Sequence, residues 1–123
     1  MSKVRRIGGK MTTRDASSAH EQSVAKALGG KQTAGSGAAA FSKGDVRLPL
    51  ALIECKTVMK EQSQVTVQRE WLPKIKKEAF AMGKQLGAVC INFGPGTENL
   101  YVIDEQTMRT FLDLLQQDID QNG

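Results

Sequence analysis

A chain of 123 residues has room for one domain with a hydrophobic core that needs no disulfides, and it is too short for two ordinary domains. Its formal charge of +4 conceals an asymmetry, because residues 1–60 carry eleven Lys or Arg against four acids and residues 61–123 carry six against nine. No apolar run approaches the roughly 18–20 residues of a membrane span, and the start MSKVRRIGGKMTTRDASS has no apolar signal core, so a cytoplasmic protein without a membrane partner is expected.

The basic half suits a polyanion such as nucleic acid, since neutralising phosphates releases counterions. For residues 1–14 alone a solvated tail serves as well. The spacing predicts a mobile basic segment over 1–16 and a single domain over 17–123. The first element is a helix from about Ser18 to Leu28, with Val24, Ala25 and Leu28 on one apolar face and Gly29 and Gly30 closing it. Ser18 to Glu21 also fits the S-x-x-E capping box, which gives Glu21 a structural reading. His20 reads as a lone surface histidine with no catalytic role. GGKQTAGSGAAAFSKGD follows as a flexible loop rich in Gly, Ala and Ser.

Next come two strands, DVRL and ALIECKTV, joined at a turn on Pro49, and a short alternating QVTVQ over 64–68 that reads as an added edge strand. From Arg69 to about Leu86, Trp71, Leu72, Ile75, Ala79, Met82 and Leu86 recur at helical spacing, with Pro73 in the first turn. GAVCINF and NLYVID predict a hairpin across GPGTE. Met108, Phe111, Leu112, Leu115 and Ile119 define a last helix capped by Asp104. The order α-β-β-(β)-α-β-β-α implies an α/β domain with one mixed central sheet covered by helices. Cys55 and Cys90 lie in apolar strand-like surroundings without metal-ligand spacing, which favours core packing over a disulfide or zinc site.

Three charged residues stand in or beside the apolar strands. Glu54 and Lys56, two apart, project from one face, while Cys55 points into the other layer. If the strands form a hairpin at Pro49, Asp45 and Glu54 approach one another, and two carboxylates brought together repel unless a cation or proton intervenes. Mg²⁺ meets that need with hard oxygen ligands. The plainer readings are a turn residue for Asp45 and a solvated edge pair for Glu54 and Lys56.

The Gly44-Asp45 pair, the E-x-K of Glu54, Cys55 and Lys56, a preceding helical Glu21, the GSG loop and a following amphipathic helix together resemble the PD-(D/E)XK nuclease superfamily. The likeness is to its small Holliday-junction-resolvase-like members from archaea and phages, and it spans Glu21 to about Phe93. Gly44 stands where the superfamily has proline, and the interval from Asp45 to Glu54 is short, which requires a tight hairpin. The resemblance implies a restriction-endonuclease-like domain that uses Mg²⁺, with Mn²⁺ able to substitute, in a prokaryotic or phage-infected cell. Asp45, Glu54, the Cys55 carbonyl and Glu21 would then hold the metal, and Lys56 would be the catalytic lysine. Ser36, Lys43 and Arg47 are candidate DNA contacts. The expected activity is hydrolysis of phosphodiester bonds in DNA, selective for a Holliday junction or other branched structure, by a homodimer. The alternative is a non-enzymatic basic nucleic-acid-binding module, although six aromatic residues leave little for base stacking.

Overall fold

The computed structural model describes residues 6–7, 10–32 and 45–122. Two short paired strands, β1 (Arg6–Ile7) and β2 (Lys10–Met11), precede the first helix. Helix α1 (Thr13–Leu28) starts earlier than the sequence spacing suggests. Thr12 is its N-cap: the Thr12 hydroxyl accepts from the Asp15 N–H at 3.0 Å and the Asp15 carboxylate accepts from the Thr12 N–H at 3.3 Å. This capping box satisfies the helix's first orphan donors upstream of Ser18. Ser18 and Glu21 are therefore interior helical residues and Glu21 caps nothing. Residues 13–16, assigned above to the basic segment, form the first turn, and Ala16 is buried in the core.

A five-stranded sheet follows in the order β3-β4-β5-β6-β7. Its members are β3 (Lys31–Gln32), β4 (Asp45–Arg47), β5 (Ala51–Lys56), β6 (Leu86–Ile91) and β7 (Leu100–Val102). Only β5 and β6 run parallel, and helix α2 (Trp71–Ala81) provides their crossover. The β4–β5 hairpin closes as expected around Pro49, with Leu48 and Ala51 exchanging backbone hydrogen bonds. The loop expected over 33–44, together with Ser36 and Lys43, lies outside the described residues.

Alternation along β5 divides the interior into two layers. Ala51, Ile53 and Cys55 join Val46, Ala88, Cys90 and Val24 of α1 on one face. Leu52 joins Val89, Ile91, Ile75 and Ala79 of α2 on the other, with Trp71 and Leu72 packed against them. Helix α2 lies very close to the sheet at Gly87, where a Cβ would come within 2.9 Å of the Ile75 carbonyl oxygen. Gly83, at φ 74°, turns the chain out of the helix, so Leu86 opens β6 instead of ending α2.

Residues 64–68 form no strand. Gln64, Thr66, Val67 and Gln68 are all exposed, so the alternation of QVTVQ has no face to bury. Helix α3 (Glu105–Asn122) is capped as its sequence indicates, with the Thr107 N–H donating to Asp104 Oδ1 at 2.9 Å. It does not cover the sheet, and none of its residues is buried. The architecture is α/β, a mixed five-stranded sheet with α1 and α2 on opposite faces. Among the described residues no helix is long and apolar enough to cross a membrane.

Candidate active site

Asp45 and Glu54 are register partners in the antiparallel β4–β5 ladder. Partners across such a ladder point to the same face with Cβ atoms about 4.5–5.5 Å apart, and here that face is the one α2 covers. Each residue is only 6% exposed. Asp45 is thus a buried strand residue, and Glu54 lies on a central strand, which removes the turn and edge-pair readings for the two acids.

Lys56, two residues further along the same face, places its Nζ 2.9 Å from Glu54 Oε2. The same ammonium stands 4.8 Å from the centre of the Trp71 ring, a cation–π distance. Its side chain is 31% exposed against 8% for Glu54, so the cation sits at the mouth of the site and the carboxylate at its base.

On the next strand outward, Arg47 is exposed and its ladder partner is Lys31, also exposed. Arg47 is two residues from Asp45, so both cations share the face that carries the two acids. Lys31 went unread in the sequence because a two-residue strand carries no periodic signal.

Glu21 stands apart from this pair. Gln32 of β3 donates from Nε2 to Glu21 Oε1 at 3.2 Å and from the same nitrogen to the Ser18 carbonyl at 3.4 Å. Burial pushes the Glu21 carboxyl up, while the Gln32 hydrogen bond and the His20 charge draw it down by less. Its charge and that of Asp45 both help raise the Cys55 thiol, behind the larger effects of Cys90 and burial. Glu21 therefore acts at the same end of the sheet, from the α1 side. Among the described residues no group of three or more His, Cys, Asp or Glu is gathered to hold a metal ion, so Glu21 does not join Asp45 and Glu54 in one. The donors that do fit Mg²⁺ are the two adjacent carboxylates, because this ion commonly takes one or two such groups and fills its remaining positions with water and phosphate.

His20 is buried at 5% exposure, not on the surface as its sequence context suggested. Nδ1 is 2.9 Å from Thr57 Oγ1 and Nε2 is 3.4 Å from Cys90 Sγ. The missed signal is its spacing: Ala16, His20 and Val24 recur every fourth residue, one face of a helix that starts at Thr13. Cys90 is the ladder partner of Cys55 on β6, and both thiols are free. Hydrogen bonds from Cys55 and His20 lower the Cys90 thiol.

Beside His20 opens a cavity of about 270 Å³ lined by Ser23, Thr57, Asn92, Thr97 and Asn99. It sits past the carboxyl ends of the parallel pair, since Thr57 follows β5 and Asn92 follows β6, and this is the end where open α/β sheets place ligands. No family model matches the chain, and neither the curated proteins nor the solved structures include a match to it.

Proposed function

We propose that this protein is a Mg²⁺-dependent DNA endonuclease of the PD-(D/E)XK type, with a restriction-endonuclease-like core, that hydrolyses phosphodiester bonds in branched DNA. The observation that carries this reading is the ladder pairing of Asp45 with Glu54, both buried, with Lys56 ion-paired to Glu54 on the same face. Burying two adjacent carboxylates is expensive, and charged groups held at that cost cluster at functional sites. A divalent ion held by Asp45, Glu54 and the Cys55 carbonyl oxygen would stabilise negative charge on a phosphoryl group and its leaving oxygen.

The chain's own residues do the rest. Lys56, held between Glu54 and Trp71 and open to solvent, meets the phosphate at the mouth of the site. There it stabilises the charge that grows on the phosphoryl oxygens and orients the attacking water. Arg47 and Lys31 extend the positive surface along the same face and hold the flanking phosphates. Glu21 fixes Gln32 and the outer strand, and in this reading it is no metal ligand.

The test is incubation of the full chain with a labelled four-way junction and a matched linear duplex, with Mg²⁺ or with chelator. The junction should be cut in Mg²⁺ and left intact in chelator, and Glu54→Gln should bind without cutting. Binding without cleavage by the unaltered chain, unaffected by loss of Asp45 or Glu54, would identify a non-enzymatic module instead.

A further inference from the structure

Helix α3 carries an exposed apolar stripe that no other described element covers. Met108, Phe111, Leu112, Leu114, Leu115 and Ile119 are each between 44% and 59% exposed, and none of the helix's residues is buried. Scattered exposed apolar residues need no explanation, but six on one helix do. Four of them, Met108, Leu112, Leu115 and Ile119, are spaced 4, 3 and 4 residues apart, the narrow seam along which two helices pack.

The charge of the helix limits what can cover it. It bears one base, Arg109, against Glu105, Asp113, Asp118 and Asp120. Helices that lie on membranes or nucleic acid carry Lys and Arg on their polar side, and this one repels both surfaces.

The seam is also symmetric about its midpoint between Asp113 and Leu114. Reversing the helix about that point exchanges Met108 with Ile119 and Leu112 with Leu115. That is the pattern an isologous two-fold contact requires, because each residue must find its counterpart on an identical surface. In an antiparallel pair a flank meets the same flank of the other helix. Phe111 then packs on Leu114 of the second copy, and Arg109 comes within reach of its Asp120. Within the single chain Arg109 pairs with Glu105 at 3.3 Å, with both side chains exposed. The seam from Met108 to Ile119 covers 12 residues, about 18 Å or three turns of helix.

We propose that this chain forms a two-fold dimer through α3, with the two helices antiparallel, Met108 against Ile119 and Leu112 against Leu115. The pairing rests on α3 alone and does not depend on the nuclease reading.

The test is sedimentation equilibrium of the full chain over a wide range of concentration, with circular dichroism on every variant. The unaltered chain should reach twice its 13.4 kDa mass in the micromolar range. Leu112→Asp should stay monomeric at least a hundredfold higher in concentration with the fold intact, since Leu112 is 56% exposed in the single chain. Arg109→Glu should weaken the dimer about three- to tenfold, the size of effect expected at an exposed ion pair. Adding Asp120→Arg to it should restore the dimer. A monomer at all concentrations, or assembly unaltered by Leu112→Asp, would overturn the proposal and leave the stripe to another protein. A charge swap that restores nothing would overturn the antiparallel register.

Discussion

Asp45 and Glu54 stand directly opposite one another across the β4–β5 ladder, each with 6% of its surface exposed. Two carboxylates that close repel one another and favour a cation beside them. Replacing either by its amide, Asp45→Asn or Glu54→Gln, removes a hard anionic donor and keeps the shape. Cleavage should fall at least about a hundredfold, Mg²⁺ binding by calorimetry should weaken, and DNA affinity should hold or tighten because a negative charge facing phosphate is lost. Normal turnover in Glu54→Gln would dismantle the site.

The second prediction separates the lysine's charge from its placement. Lys56→Ala removes the cation and should lower turnover about 10²–10³-fold with little effect on DNA affinity. Trp71→Leu keeps an apolar side chain beside Leu72 and Ile75 but removes the ring 4.8 Å from Lys56 Nζ. A cation–π contact contributes about 0.5–2 kcal/mol. Turnover should therefore fall by roughly two- to thirtyfold in Trp71→Leu, and KM should stay near its normal value if the ring only positions the ammonium. Equal losses in the two variants would make Trp71 a DNA contact in its own right.

The parts of this site legible in the sequence are those set by strand geometry. The two-residue spacing of Glu54 and Lys56 fixes their common face, and Pro49 fixes the turn that brings Asp45 opposite Glu54. Where Glu21 acts depended on the start of α1, and two candidate capping boxes compete there. The upstream one at Thr12 prevails, and that shift also carries His20 from surface to core. Residues 64–68 alternate convincingly, yet a strand needs a face to bury as well as a pattern, and nothing packs over them. Periodicity marks α3 as a helix, but it cannot say whether the surface its apolar stripe meets belongs to the same chain.

A third prediction concerns acid. The carboxyl of Asp104 is held well below the usual carboxylate range, first by the hydrogen bond from Lys76 and then by those from Thr107. A folded-state pKa below the unfolded value of about 3.9 contributes stability that is fully present above that value. The contribution is lost as pH falls through the depressed folded one. Ellipticity at 222 nm followed from pH 5 downward should lose the contribution of α3 late, and Asp104→Asn should blunt that step, because it keeps the cap oxygen and removes the titrating charge. Asp104→Ala removes the cap as well, about 1 kcal/mol, and should fray α3 at neutral pH. Identical acid profiles for the unaltered chain and Asp104→Asn would show that Asp104 does not link α3 to pH.

The last prediction concerns Glu21, whose half-buried carboxyl is raised by desolvation more than Gln32 and His20 lower it. A raised carboxyl is one that folding disfavours in its ionised form. The charge therefore costs stability above the folded pKa, and that cost disappears as pH falls below the unfolded value of about 4.3. Glu21→Gln keeps an oxygen to accept from Gln32 Nε2 and discards the charge, so melting temperature should rise at pH 7 and match that of the unaltered chain near pH 4. Because Glu21 is not gathered with Asp45 and Glu54, cleavage at limiting Mg²⁺ should stay within about threefold of normal. The two readouts move independently: a metal ligand lost to an amide would collapse cleavage whatever happens to melting. A sharp loss of turnover with raised stability would return Glu21 to the metal set, and would mean that α1 draws closer to the β4–β5 ladder when DNA and Mg²⁺ are bound.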